Sequence, residues 1–175
     1  MLSLRRVALR PLWRNHSGLY STNRYGVIVV EPKSPTGGDL KALTQLFPNG
    51  EIWGFAPWLL KNTEAGKSIP GKAFEETFRE RLIDYVGFLE KELKIAPPYR
   101  VEAGAVGLKG GRILIDQFPD TPLGPIYDEG FQIERALNET SSAAVDRLVL
   151  EIFEGLFQVS GYPRPNGLFG FPPIE

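Results

Sequence analysis

Between Asp39 and Asp116 the spacing of apolar residues changes character twice, and that double change restricts the fold more than any other feature of the chain. In LKALTQLFPNGEIWGF, Ala42, Thr44 and Leu46 alternate with Leu43, Gln45 and Phe47. Pro48-Asn49-Gly50 then offers the positive φ of a tight hairpin turn, and the return run places Ile52 and Gly54 on one face with Glu51, Trp53 and Phe55 on the other. A period of two gives way to a helical period from about Ala73 to Leu93, where Phe74, Phe78, Leu82, Tyr85, Leu89 and Leu93 recur at spacings of three and four. Ile83, Val86 and Phe88 broaden that stripe, while Glu75, Glu76, Arg79, Glu80, Arg81, Asp84, Glu90, Lys91 and Glu92 read as its solvated face. Pro97-Pro98 stops the helix, and a second hairpin is expected from Tyr99–Leu108, the turn Lys109-Gly110-Gly111 and the return Arg112–Asp116.

The flanks extend this pattern. Tyr25–Glu31 contains GVIVV, an unbroken apolar run suited to the middle of a sheet. Residues 33–38 read as a loop, and KNTEAGKSIPGK as an exposed connection. After the loop QFPDTPLGP, YDEGFQIERALN reads as a last strand with Phe131, Ile133 and Arg135 on one side. Asn138–Ser142 supplies capping side chains for a second helix, Ala143–Val159, with Val145, Leu148, Val149, Ile152, Phe153, Leu156 and Phe157 as its apolar face. The expected class is α+β: one mainly antiparallel sheet of about six or seven strands carrying two long helices. At 175 residues the chain suits a single domain, read over 1–163, followed by a tail, 164–175, packed on it. In that tail Leu168, Phe169 and Phe171 are too apolar to stay in water, and the neighbouring Gly and Pro residues forbid regular structure.

The amino terminus admits two readings. Arg5, Arg6, Arg10, Arg14 and Arg24 with no acid before Glu31 resemble a mitochondrial presequence over residues 1–24. Alternation of Leu2, Leu4, Val7 and Leu9 up to Pro11 instead reads as an edge strand, and this is the preferred assignment. A cytoplasmic location follows from it, with a mitochondrial one as the alternative.

The chemistry open to the chain is narrow. It has no Cys, and His16 is its one imidazole, so thiolate chemistry, disulfides and zinc ribbons are excluded. Gly66-Lys67-Ser68 imitates the end of a phosphate-binding loop, but Lys61 stands where the motif needs Gly, and Ile69-Pro70-Gly71 follows where it needs a helix. The helix carboxylates read as a solvated face, not as an acid and base pair. A net charge of −1 leaves no general field for nucleic acid unless the amino-terminal arginines act together. No apolar run reaches the ~20 residues of a membrane span. Two groups remain as candidates: Trp53, Phe55 and Trp58 as an interaction surface, and Arg100, Lys109 and Arg112 beside the Gly-rich strand 103–107 as a ligand site.

STNRYGVIVV, TQLFPNGEIWGF, the following helix and the hairpin Val101–Ile115 together resemble the C-terminal region of prokaryotic proteins that carry an N-terminal Schlafen/AlbA-type DNA-binding domain. The similarity covers about residues 10–160 and makes residues 2–11 a first strand. The Schlafen/AlbA-type domain, to which that family's nucleic-acid roles attach, is not in this sequence, and none of its functional residues maps onto these positions. The resemblance implies a non-enzymatic interaction or regulatory module. Its partner would be a protein or an adjacent Schlafen/AlbA-type domain, with nucleic acid met weakly or indirectly and self-association open; the ligand-binding domain is the alternative. No cofactor is expected.

Overall fold

A computed structural model describes residues 18–32, 40–64, 66–115 and 123–172. The expected strand at residues 2–11, with Arg5, Arg6, Arg10 and Arg14, lies outside these, as does most of the loop QFPDTPLGP. The elements run β1 (Leu19–Asn23), β2 (Gly26–Pro32), β3 (Leu40–Leu46), β4 (Ile52–Phe55), a 3₁₀ turn, β5 (Lys61–Thr63), β6 (Gly66–Pro70) and α1 (Gly71–Lys91). They continue with β7 (Tyr99–Val106), β8 (Arg112–Leu114), β9 (Gly130–Leu137), α2 (Ser142–Gln158) and a second 3₁₀ turn, Leu168–Gly170. The class is α+β, as the periodicities imply, but the strands divide among sheets of four, three and two, and no sheet of six or seven strands forms among the described residues.

Contacts group the chain into two compact units. The first comprises residues 1–58 and 77–96; the second, residues 59–76 and 97–175. In the first, β1, β2, β3 and β4 form an antiparallel meander in that order. Each turn follows from local chemistry. Asn23 Oδ1 accepts from the Tyr25 amide at 2.8 Å, and Gly26 takes φ +128° where a Cβ would sit 2.2 Å from the Leu46 carbonyl oxygen. Gly50, at φ +89°, closes the next hairpin, with its amide on the Phe47 carbonyl oxygen at 3.0 Å. Strand β1 is a feature that sequence patterning missed, because LYSTN is exposed throughout and shows no apolar alternation. One face of the meander buries Val29 and Leu46 against Phe88 of α1, with Val27, Ile52 and Leu93 packed around them.

In the second unit, β5 and β6 form a short hairpin where an exposed connection was expected, and Ser68 and Ile69 within it are buried. The segment Arg112–Leu114 does not return against β7. It pairs in parallel with β6, Ile113 opposite Ile69, while β7 pairs antiparallel with β9 over eight positions from Tyr99↔Leu137 to Val106↔Gly130. The expected second hairpin is therefore replaced by non-local pairing. Positive φ at Gly107 and Gly110 turns the chain out of the β7 line, and β9 offers eight partners where the return strand offers three residues. Helix α2 is capped by Ser141, whose Oγ accepts from the Ala144 amide at 3.3 Å, and it buries all seven of its expected core residues.

The charged face assigned to α1 also needs correction. Glu75 and Arg81 are buried and Ile83 is exposed. Arg81 bonds to Asp84 one turn on and to Glu80. Glu75, in the second unit, receives the guanidinium of Arg164. Helical periodicity distinguishes apolar from polar positions, but a long cationic or anionic side chain can be enclosed wherever a partner reaches it.

Candidate functional site

Register and alternation define the other face of the β1–β4 meander, turned away from Phe88 of α1. Leu19 pairs with Val30, Val30 with Leu43 and Leu43 with Phe55, so one apolar row crosses all four strands. The next row runs Ser21, Ile28, Gln45, Trp53. Leu19 and Trp53 are each 60% exposed and Phe55 is 52% exposed, while Ile28, Val30 and Leu43 are half-buried between them. An unbroken apolar run in β2 gives both faces of that strand hydrophobic side chains, which is why this face is not polar as it is in most half-solvated antiparallel sheets.

Two fixed polar groups hold the surface in shape. Gln45, buried at the centre, accepts from Asn23 Nδ2 at 2.9 Å and donates to the carbonyl oxygens of Val27 and Leu46, each at 3.1 Å. Both amide N–H groups and one lone pair of the amide oxygen are thus engaged within the sheet. At the β4 edge the Trp53 indole donates to Glu51 Oε1 at 2.7 Å and meets the Phe47 ring edge-on, centroids 5.4 Å apart. Trp53 is therefore a held aromatic with its polar tip satisfied and its ring in water, the character of a contact anchor.

The sequence candidates fall as follows. Trp53 and Phe55 project from β4 onto this face; Trp58 lies in the 3₁₀ turn Pro57–Leu59 and is half-buried. Leu19, Ile28, Val30, Leu43 and Gln45 belong to the same surface and were not picked out. The signal available was the continuous GVIVV, which cannot be one-faced. Of the basic trio, Arg100 on β7 bonds Glu134 across the strand pair at 2.7 and 3.0 Å, and Lys109 lies 3.5 Å from Glu129. Arg112 sits on β8 in the other sheet, opposite Ser68. The small residues of 103–107 answer a packing need: a Cβ on Gly104 would lie 2.1 Å from the Phe131 carbonyl oxygen of β9. Lys67, of the phosphate-loop imitation, lies in β6 and donates to the Gly107 carbonyl oxygen at 2.9 Å.

Two buried polar contacts complete the electrostatic picture. In the first unit the Tyr85 hydroxyl lies 2.5 Å from Thr44 Oγ1, and burial pushes its pKa up to about 12 despite that bond. In the second, burial raises the Glu75 carboxyl above the ordinary carboxylate range, against the opposing pull of Arg164. Among the described residues no group of three His, Cys, Asp or Glu side chains is placed to hold a metal, and no helix is long and apolar enough to cross a membrane.

No protein-family model, no curated protein and no solved structure matches the chain.

Proposed function

We propose that this protein is a non-enzymatic interaction module that docks a protein partner on the outer face of β1–β4. One observation supports this above the others: an uncharged apolar row, Leu19–Val30–Leu43–Phe55, crosses the whole sheet and stands beside the held indole of Trp53. Aromatic anchors in a surface depleted of charge are the composition of a protein–protein interface core. A nucleic-acid surface would need cations over the sheet to neutralise phosphates, and the basic residues near this one are Lys41, engaged with Glu31 at 3.7 Å, and Arg24 at the hairpin tip. The Schlafen/AlbA-type resemblance adds an adjacent domain of that kind to the partners such a face would accept.

The test is a photo-crosslinking residue placed at position 53 or, as a control, at the exposed Lys91 of α1. Cross-linked protein at position 53 in excess of position 91, unaffected by raised salt, is the expected result. Equal yields at the two positions reject the docking face.

A further inference from the structure

Resting on that docking-face reading, we propose that the occupant is an extended basic segment of a partner protein, which sets a lysine or arginine against the Trp53 indole and the Glu51 carboxylate and an apolar side chain against Phe55. Charge carries the first step. Glu51 stands just before β4, on the same side as Trp53, and is exposed. Its carboxylate accepts from two neutral groups, the Asn49 amide at 3.4 Å and the Trp53 indole at 2.7 Å, and no cation among the described residues pairs with it. One full negative charge therefore borders the apolar row that ends at Phe55. A wholly apolar occupant would strip water from that carboxylate and leave it unmatched, whereas a cation offsets the loss. The indole adds a second attraction for a cation. Donation of its N–H to an anion polarises the ring towards greater electron density. With Trp53 60% exposed, a cation has room to come within about 6 Å of the ring centroid, where the aromatic face attracts it.

Strand β4 selects an extended occupant. Among the described residues it ends the sheet order, so its outer edge is open to a further strand, and Gly54 on it is exposed. Trp53 and Phe55 point to one face two positions apart, roughly 6.8 Å along the strand. A partner strand presents its own alternate side chains at the same interval, and directly opposed residues bring their Cβ atoms to about 5 Å. A cation facing Trp53 thus lies beside Glu51, and an apolar residue two positions on meets Phe55 with Leu43 behind it. The ion pair selects the occupant more than it holds it, because an exposed pair contributes little and is screened by salt. Cross-linking at position 53 accordingly persists when salt is raised.

The full-length chain is used to select from a displayed library of random peptides of about ten residues, long enough to run past β4 at about 3.3 Å per residue. Enriched peptides should carry Lys or Arg two positions from an apolar residue. A labelled peptide of that kind is then titrated by fluorescence anisotropy, beside a copy whose cation is replaced by its neutral analogue, citrulline for arginine or acetyl-lysine for lysine. The proteins are wild type, E51Q, W53A and F55A, which should all melt with similar midpoints because the three positions are exposed. E51Q keeps an oxygen for the indole N–H and removes the charge. It should weaken the cationic peptide about two- to fivefold, the worth of an exposed ion pair, and leave the neutral peptide unchanged, while W53A and F55A weaken both peptides. An equal effect of E51Q on the two peptides, or none on either, overturns the cation. Enrichment of uncharged peptides that still need Trp53 and Phe55 does the same and leaves the docking face standing for an apolar partner, another copy of this chain included. Binding indifferent to W53A and F55A overturns both readings. A library from which nothing is enriched overturns the extended segment, and cross-linking at position 53 then decides the docking face by itself.

Discussion

Arg164 grips Glu75 across 89 positions of sequence, Nε and Nη2 donating to the two carboxylate oxygens at 2.8 and 2.6 Å with side chains only 2% and 4% exposed. The same guanidinium donates to the carbonyl oxygens of Leu168 and Phe171 at 2.9 and 2.7 Å and lies over the Phe153 ring. Leu168 is buried, and Phe171 meets Phe153 edge-on, centroids 5.8 Å apart. The tail is thus fastened to α1 and α2 within the second unit by one cation and two apolar side chains.

Removing one member of this pair leaves the other as a buried, unmatched charge. Arg164→Ala should cost about 3–5 kcal/mol, whereas Glu75→Met with Arg164→Met should cost much less, because the pair's attraction barely exceeds its desolvation. Urea midpoints of the three proteins check this; a double variant as weak as Arg164→Ala contradicts it.

The pH dependence of Glu75 has a definite sign. Its folded pKa lies above the ordinary carboxyl value of 4.5, so between those two values the native state binds more protons than the unfolded chain. Wild-type stability relative to Glu75→Gln should therefore fall as pH rises from 4.5 through the folded pKa. Denaturation at half-unit steps from pH 4 to 7 measures it, and a difference that grows with pH would show that Arg164 outweighs burial.

Tyr85 titrates oppositely placed on the scale but by the same logic. With a folded pKa of about 12 against 10.0 unfolded, its contribution is intact below pH 10 and is lost as pH rises from 10 towards 12. At 1.36 kcal/mol per pKa unit the loss relative to Tyr85→Phe approaches about 3 kcal/mol. At pH 7 Tyr85→Phe should itself cost about 0.5–1.5 kcal/mol, the net worth of the one buried hydrogen bond to Thr44 that it removes. Stability curves for both proteins up to pH 11, superimposable in shape, would refute the alkaline part.

Two glycines should respond in opposite directions to the same methyl group. Gly104→Ala drives Cβ against the Phe131 carbonyl oxygen and the Gln132 Cα, 2.1 and 2.9 Å away, and must separate β7 from β9. Gly87→Ala meets nothing within 4 Å on α1 and should stabilise by about 0.5–1 kcal/mol through helix propensity. Thermal midpoints of the pair, with hydrogen exchange of β9 in the Gly104 variant, test both.

What the sequence settled by itself is local. The hairpin β3–β4 is written in a period-two pattern around Asn49-Gly50, and α2 in its 3.6-residue stripe after the capping stretch Asn138–Ser142, because turn geometry and amphipathic periodicity involve residues within a few positions of each other. Tertiary structure decided the rest. Arg112–Leu114 and Gly130–Leu137 are both acceptable partners for β7 in local terms, and the choice of β9 turns on the number of pairs each can form and on where Gly107 and Gly110 send the chain. Glu75 and Arg81 carry the same charges at the same helical spacings as their exposed neighbours. Only the arrival of Arg164 from the far end of the chain makes the first a buried site, and only Asp84 and enclosure make the second one. The outer face of β1–β4 lies between these extremes. GVIVV and Trp53 announced apolar surface on both sides of the sheet, but that α1 covers one side while Leu19, Phe55 and Trp53 remain in water on the other depends on packing between segments that sequence spacing does not connect.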